Sequence, residues 1–300
     1  MTTASTVSPV DPAAFRFDAG TGPGADLRAV VEAATEADGA TPFDEAAVLA
    51  LRGGLEGSTL LAAGGAGFAW VHGPGDERAV DLVVHPSSRG RGVGGSLAAA
   101  VDEAYPGRIT AWSHGNHPAA ARLAARHGLD RVRDLWVMRR PLDVPLADLW
   151  ETPGVAVRTF EGGDADAWLA LNAEAFAHHP EQGRLTRADL DARMGEAWFD
   201  PAGFFLAVST DGALLGFHWT KVHPGPRPHG EVYVVGVSPR AQGGGLGRLL
   251  TLTGLHHLKG LGLEEVVLYV EADNAPAVAV YTRLGFAHAD EDTHVQYARL

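Results

Sequence analysis

The sequence contains no cysteine. This absence excludes a disulfide framework, a thiolate metal site and a cysteine nucleophile. The chain also lacks an uncharged apolar run of about 18 residues, so we expect no membrane-spanning helix. Residues 1–15 do not join a basic segment to an apolar run, which predicts no signal peptide. Together these absences make the cytoplasm the expected location.

Positive charge is scarce. Lys and Arg number 24 against 37 Asp and Glu, giving a formal net charge of −13. A nucleic-acid surface needs a basic patch to neutralise phosphates, so we expect no nucleic-acid partner. A local basic pocket for an anionic small molecule is compatible with this balance. The 14 histidines form no His-x3-His or His-Glu-x2-His pattern, so we expect no metal site.

Two glycine-rich segments repeat at a fixed distance. Pro86 aligns with Pro239 and Gly94 with Gly247, an offset of 153 residues in both cases. Each segment reads as an apolar strand, a proline, polar residues, (Arg/Gln)-x-x-Gly-x-Gly and an apolar helix. This period is too long for a solenoid and indicates a duplicated domain. A chain of 300 residues fits two domains of roughly 150 each.

The predicted domain boundary follows from composition. Residues 140–154 are rich in proline and lack hydrophobic periodicity, which is typical of a connecting segment. We therefore predict four regions: a loose tail at 1–12, an N-terminal domain at 13–141, a linker at 142–153 and a C-terminal domain at 154–300.

Helices and strands alternate within the chain. Hydrophobic periodicity predicts helices at 26–37, 164–177, 247–261 and 275–284. Short apolar runs predict strands at 204–209, 214–221, 230–237 and 265–271. The first two of these strands flank the turn Asp211-Gly212. Interleaved strands and helices indicate an α/β fold with helices around a mixed sheet.

The turn from Gln242 to Gly247 lies between a predicted strand and a predicted helix. Glycine lets the backbone turn tightly and approach a ligand, and the amides of a helix N-terminus favour anions. A pyrophosphate is therefore the natural guest, with Arg240 and Arg248 adding charge at the rim. A purely structural turn is the alternative. Gly236 within the preceding strand predicts a bulge or a close backbone approach.

These segments resemble the GCN5-related N-acetyltransferase (GNAT) superfamily. In chain order the C-terminal half has Gly236, the Gln242-x-x-Gly245-x-Gly247 turn, Asn274 and Tyr281. The resemblance implies two tandem GNAT domains, each with a mixed, mostly antiparallel sheet, and acetyl-CoA as cosubstrate. In the C-terminal half it implies acetyl-CoA contacts at Val235, Gly236, Val237, Gln242, Gly243, Gly244, Gly245, Leu246, Gly247, Arg248, Asn274, Ala275, Pro276, Ala277, Val278 and Ala279. In the N-terminal half the corresponding residues are Leu82, Val83, Val84, Gly90, Arg91, Gly92, Val93, Gly94 and Gly95.

Longer segments are similar to one branch of this superfamily, whose tandem members acetylate the cysteinyl amine of a cysteine–glucosamine–inositol conjugate. They include 179–183, 195–201, 216–224, 230–237 and 268–274. The resemblance implies Glu231 as general base and Tyr281 as general acid. It further implies substrate contacts at Glu45, Glu181, Lys221, Glu231 and Tyr269.

The N-terminal half keeps the glycine turn but lacks the acid. Counting from Asn116 places Leu123 opposite Tyr281, and counting back from Gly128 places Ala124 there. Neither side chain donates a proton, so we expect this half to be non-catalytic. It is either a scaffold with a vestigial pocket or a contributor to the substrate cleft through Glu45.

Two other functions stay open on the sequence alone. One is an acetyltransferase for another amine, such as an antibiotic or a protein N-terminus. The other is an acetyl-CoA-binding sensor without turnover, which the presence of both Glu231 and Tyr281 disfavours. For the chain itself we expect a monomer.

Overall fold

A computed structural model of the chain describes residues 6–75, 77–177, 182–225 and 227–300. Contacts divide it into two compact units. Unit 1 contains Met1–Trp136, Glu271–Asp273 and Ala289–Leu300, and unit 2 contains Val137–Val270 and Asn274–His288. The packing therefore assigns the end of the chain to the first unit, whereas the sequence assigns 154–300 to one domain. Strand pairing explains the difference, because the last strand of the chain pairs within unit 1.

Unit 1 is built on a mixed sheet. Its helices are α1 (Pro23–Asp38), α2 (Glu45–Arg52), α3 (Val93–Ala104) and α4 (Pro118–Arg126). Its strands are β1 (Ser8–Pro9), β2 (Thr59–Ala62), β3 (Gly67–His72), β4 (Arg78–Val84) and β5 (Ile109–Ser113), with parts of β6 (Asp130–Pro141) and β12 (Ala287–Arg299). Residues Val295–Arg299 of β12 pair antiparallel with β5, which places the C-terminal segment in this unit. The pairing of β4 with β5 is parallel and that of β1–β2, β2–β3 and β3–β4 antiparallel.

Unit 2 repeats this plan. Its strands are β7 (Val155–Thr159), β8 (Phe204–Ser209), β9 (Leu214–His223), β10 (His229–Val237) and β11 (Glu265–Glu271). Its helices are α5 (Ala165–Ala175), α6 (Arg187–Met194), α7 (Leu246–Gly260) and α8 (Ala275–Arg283). Strands β7 to β10 pair antiparallel in chain order, and β10 pairs parallel with β11. The mixed, mostly antiparallel sheet predicted for each half is confirmed.

Local sequence explains where the unit 2 elements begin and turn. Thr186 and Asp189 form a reciprocal capping box at the start of α6. Gly212 has φ +85° in the turn between β8 and β9, a conformation that favours glycine, so this hairpin forms where it was predicted. The predicted strand at 265–271 coincides with β11, and the helix predicted at 247–261 begins one residue earlier as α7.

The core of unit 2 is aromatic on one face of the sheet. Phe204 stacks on Trp219 at 4.5 Å between ring centroids, and Trp168 meets both edge-on. Because Trp219 is fully buried, it packs in this core. Helix α7 covers the opposite face, where Leu250, Leu255 and other leucines are buried. Among the described residues, no helix is long and apolar enough to cross a membrane.

A buried histidine joins β9 to α7. His218 is fully buried, and its Nδ1 donates to the Leu250 carbonyl at 2.8 Å. Its imidazole lies against Gly254, where a Cβ would come within 2.1 Å of Cε1. Burial lowers the pKa of His218 to about 4, so the ring is neutral near neutral pH.

We predict that Gly254→Ala destabilises unit 2 even though alanine is the better helix former. The overpacked contact with His218 costs about 1–3 kcal/mol. Gly260→Ala in the same helix is the matched control, since nothing beyond its chain neighbours and its own helix backbone lies within 4 Å of its Cβ position. That change stabilises the helix by up to about 1 kcal/mol. Equal urea midpoints for the two variants would contradict the packing described.

We also predict that stability falls as the pH drops from about 6.5 towards 4. His218 binds a proton readily when unfolded but resists it when folded, so its contribution is complete above pH 6.5 and is lost below it. The loss across this window is roughly 3 kcal/mol. Urea unfolding at several pH values measures this loss of stability. His218→Gln is expected to lower the number of protons taken up on unfolding, obtained from the slope of stability against pH, by about one. An unaltered slope in that variant would exclude this assignment.

Candidate functional site

The turn from Gln242 to Gly247, which is the predicted anion cradle of unit 2, lies at the start of α7. A short 3-10 helix, Pro239–Ala241, follows β10, and Gly243 and Gly245 then adopt φ +84° and +81°. Gly245 is the N-cap of α7. The first amides of a helix lack acceptors within the helix and lie at the positive end of its dipole. The turn is therefore suited to a pyrophosphate, as its glycine pattern predicts.

The first residue of the (Arg/Gln)-x-x-Gly-x-Gly pattern ties the turn to the preceding strand. Gln242 donates from Nε2 to the Val237 carbonyl at 3.3 Å. In unit 1, Arg89 donates from Nε to the Val84 carbonyl at 3.2 Å. Both pairs are related by the 153-residue offset of the sequence repeat. The two side chains therefore hold the same turn in the same way.

Strand β10 separates from β11 beside the cradle. Its parallel pairing with β11 runs from Gly230 only to Val232, whereas its antiparallel pairing with β9 continues to Val237. The register with β9 shifts by one residue between Val232 and Val234, so Tyr233 is the bulged residue. Beyond this point the backbone of 234–237 no longer pairs with β11. It can therefore offer hydrogen bonds to a ligand, as the resemblance implied for 235–237.

The bulge does not lie at Gly236, for which the sequence predicted either a bulge or a close backbone approach. Gly236 is paired in regular register with Phe217. A Cβ there would come within 2.5 Å of the Phe217 ring and 3.2 Å of Phe176. Glycine is needed at this position for close packing, which is the other meaning that the sequence allowed.

Helix α8 carries the predicted acid. Asn274 accepts from the Ala277 amide at 3.2 Å and so caps this helix, whose first residues, 275–279, are predicted to contact acetyl-CoA. Tyr281 is half-buried and meets Phe286 edge-on. Desolvation raises the pKa of the Tyr281 phenol to about 12. The phenol therefore keeps its proton near neutral pH and can donate it.

The predicted base and substrate contacts share one face of the unit 2 sheet. Glu231 on β10 lies directly opposite Lys221 on β9 and beside Val267 on β11. Side chains alternate along a strand, so Tyr269 lies on the same face as Val267. Glu231 and Lys221 are both buried, while Tyr269 is exposed. The register thus brings three of the predicted residues to one surface.

Aromatic rings surround the Lys221 ammonium. Its Nζ lies 4.3 Å from the ring centroid of Trp198 and 5.1 Å from that of Tyr233. The Tyr233 hydroxyl accepts from Nε of Arg193 at 3.0 Å. A cation held over aromatic faces is stabilised by their quadrupoles. Tyr233, the bulged residue, therefore also supplies one of the two rings beside Lys221.

The sequence missed a partner of the predicted base. His223, two residues beyond Lys221 on β9, places Nε2 2.5 Å from Oε2 of Glu231. His223 also stacks on His229, with ring centroids 4.6 Å apart. The sequence offered one hint of this contact, because His223 and His229 flank the connection between β9 and β10. The length of that connection does not by itself reveal which residues of the two strands face each other.

The other predicted residues of the site fall in three places. Glu181 lies outside the described residues. Glu45 is the first residue of α2 in unit 1. At the rim of the unit 2 turn, Arg240 forms an ion pair with Glu174 and Arg248 lies 5.3 Å from the Trp150 ring centroid.

Unit 1 contains a cavity of about 580 Å³ against its own glycine turn. Gly90 and Gly92 have φ +73° and +88°, matching Gly243 and Gly245. Except for Arg91, the predicted cofactor contacts of this half line the cavity: Leu82, Val83, Val84, Gly90, Gly92, Val93, Gly94 and Gly95. The volume is within the ordinary range for small-molecule sites.

The unit 1 cavity differs from the unit 2 site in its charges and its register. Arg89 forms a bidentate pair with Asp38 at 2.6 and 2.7 Å, which neutralises its charge. His114 faces His294, with Nδ1 atoms 2.9 Å apart, and burial lowers the pKa of His114. Strands β3 and β4 keep one register from Gly67 to His72, without the shift seen in unit 2.

The position equivalent to Tyr281 in unit 1 is Ala124. Helix α4 is capped by His117 and α8 by Asn274, and both helices have nine residues. Aligning the two caps places Ala124 opposite Tyr281, which decides between the two counts made on the sequence. Within the described residues, no group of three or more His, Asp or Glu side chains is arranged to hold a metal ion.

Comparisons with known proteins agree with these features. The acetyltransferase (GNAT) family model matches residues 166–286. A mycothiol acetyltransferase from a Nocardioides species is 54% identical over 286 residues, which cover 90% of this chain and 95% of that protein. One from Thermobispora bispora is 54% identical over 281 residues, which cover 90% of this chain and 94% of that protein.

Solved structures share the fold. A GCN5-related N-acetyltransferase from Sphaerobacter thermophilus has a TM-score of 0.67 at 25% identity, covering 98% of this chain and 95% of that one. A tandem GNAT protein from the clavulanic acid biosynthesis pathway has a TM-score of 0.63 at 21% identity, covering 81% and 82%. The glycine turn, the bulged strand and α8 all lie within the matched family segment, and about half of the residues are identical to those of the curated relatives across nine-tenths of the chain. The chain therefore belongs to the mycothiol acetyltransferase family of GNAT enzymes.

Proposed function

We propose that this enzyme transfers the acetyl group of acetyl-CoA to the cysteinyl amine of cysteinyl-glucosaminyl-inositol, giving mycothiol and CoA. One observation carries the assignment of chemistry to unit 2. Strand β10 bears the buried carboxylate of Glu231 before its bulge, unpaired backbone after it and the anion cradle at its end. The names of the curated relatives support the choice of amine.

Each residue has a defined task in the proposed reaction. Glu231 takes a proton from the substrate ammonium, because only a neutral amine can attack the thioester. The backbone of 235–237 donates to the thioester oxygen and stabilises the charge that develops there. Tyr281 protonates the sulfur of the departing CoA. The burial that keeps this phenol protonated also raises the basicity of a thiolate expelled beside it.

The substrate side of the proposed site is polar and aromatic. Lys221, held between Trp198 and Tyr233, presents a cation that donates to hydroxyl or carbonyl oxygens. Tyr269 is exposed on the same face and adds a phenol. Glu181 and Glu45 remain proposed contacts to the sugar and inositol. We further propose that unit 1 binds acetyl-CoA in its cavity without turning it over, since Ala124 cannot act as an acid.

Purified enzyme with acetyl-CoA and cysteinyl-glucosaminyl-inositol tests the substrate assignment. We expect the conjugate to gain one acetyl group by mass, with one CoA released per product. Glucosaminyl-inositol without the cysteine is the matched control and is expected to remain unmodified. Acetylation of peptide N-termini or of an aminoglycoside in preference to the conjugate would replace this substrate. Acetyl-CoA binding without CoA release on any amine would indicate a sensor.

Tyr281→Phe tests the acid. We expect kcat to fall by about 100-fold or more, because the variant retains the ring but cannot protonate the thiolate. The KM for acetyl-CoA is expected to stay within about twofold, since the cradle is untouched. Tyr105→Phe, which removes a hydroxyl bonded to Thr59 in unit 1, is the control and should keep normal turnover. Normal kcat in Tyr281→Phe would assign the acid elsewhere.

A further inference from the structure

Glu231, the proposed base, is hydrogen-bonded to His223, which has no assigned role in the proposed reaction. Nε2 of His223 lies 2.5 Å from Oε2 of Glu231. Within the part of the chain that the structure describes, the Glu231 carboxylate forms its side-chain hydrogen bond with His223. The residues differ in exposure, with 8% of the Glu231 side chain accessible against 31% of the His223 side chain.

The proposed reaction must release a proton in every cycle. The amine enters as an ammonium and leaves as a neutral amide, so its nitrogen loses two protons. One proton ends on the sulfur of CoA as a thiol, and the other must reach water. The base that first accepts a proton must therefore be free of it again before the next substrate binds.

Glu231 is poorly placed to lose that proton directly to water. Its carboxylate is buried between β9 and β11, opposite Lys221, which is already an ammonium and offers no lone pair. His223 can take a proton from a protonated Glu231 at Nε2 and release another from Nδ1, since imidazole binds a proton at either nitrogen. Proton exchange between the ring and water then restores the starting tautomer before the next cycle. Its partial exposure gives water access to the ring.

Other charged groups on the same face limit where the proton can go. His229 stacks on His223, and burial together with the charge of His223 lowers the pKa of His229. Two adjacent imidazoles therefore resist carrying charge together. Beyond His229, Glu265 is paired with Arg139 at 3.0 Å and is already neutralised. A proton on His223 thus leaves to water rather than passing further along the sheet.

We infer that His223 is a positioning and proton-relay residue: it orients the Glu231 carboxylate and carries the proton released in each cycle from Glu231 to solvent. This inference rests on the proposed function, because it assumes that Glu231 is the base. His223 acts through Glu231 and does not itself contact the reacting atoms.

The test compares His223→Gln with wild type, Glu231→Gln and the double variant. Glutamine retains a donor towards Glu231 but cannot relay a proton. We expect kcat of His223→Gln to fall by about 10- to 100-fold, with both KM values within about twofold. Rising concentrations of imidazole buffer should restore part of the loss. In a Glu231→Gln background, adding His223→Gln should change kcat by less than about twofold, because without the Glu231 carboxylate there is no captured proton to relay.

The control is His256→Gln on α7, whose imidazole bonds the Ala147 carbonyl. Its kcat should equal that of wild type at every buffer concentration. Acetyl-CoA affinity verifies that each variant is folded, and His223→Asn replaces His223→Gln if that variant does not bind.

Three results would overturn the relay. They are an unchanged kcat in the His223 variant, a loss that imidazole does not reverse, or effects of the two substitutions that multiply in the double variant. The proposed function fails separately, when the wild-type enzyme leaves the cysteinyl amine unmodified.

Discussion

The proposed chemistry of this enzyme depends on the point at which strand β10 leaves β11, next to one extra residue against β9. Tyr233 shifts the register against β9, and parallel pairing with β11 ends at the residue before it. A bulge increases local twist and frees backbone groups next to a site. Here the carboxylate of Glu231 lies on the paired side of the bulge and unpaired backbone lies on the other. The proposed base and the proposed oxyanion donors are therefore held on a single strand, whose geometry is fixed by its antiparallel partner.

The two units share the features proposed for anion binding but not those proposed for catalysis. Both units have the left-handed glycines, the 3-10 turn and the side chain that ties the turn to its strand. The residues proposed for proton transfer do not repeat. Glu231 corresponds to Ala79, because each is the middle residue of the parallel pairing with the next strand, beside Val267 in unit 2 and Thr110 in unit 1. Tyr281 corresponds to Ala124. A cradle for an anion needs backbone conformation, which duplication preserves, whereas an acid and a base need single side chains that one copy can lose.

The sequence was sufficient for features that depend on local conformation. Gly243 and Gly245 had to adopt positive φ, and the run of apolar residues at 265–271 could only be a short strand. It was insufficient where packing or pairing decides. The sequence predicts either a bulge or a close backbone approach at Gly236, and only the packing of the Phe217 ring decides for the close approach. The pairing of the chain's end with β5 arises between residues far apart in sequence, and no local pattern records it.

The arrangement of Glu231 also shows why burial alone does not make a good base. Removal from water strengthens the interaction of a carboxylate with an ammonium, because the local dielectric is low. The same removal slows exchange of the captured proton with solvent. A group that touches both the buried carboxylate and water resolves this conflict, and an imidazole is suited to it because its charge changes near neutral pH. His223 faces Glu231 across the β9–β10 pair without belonging to the bulge, so in the proposed relay the carboxylate stays enclosed on the substrate side while its proton leaves through the imidazole.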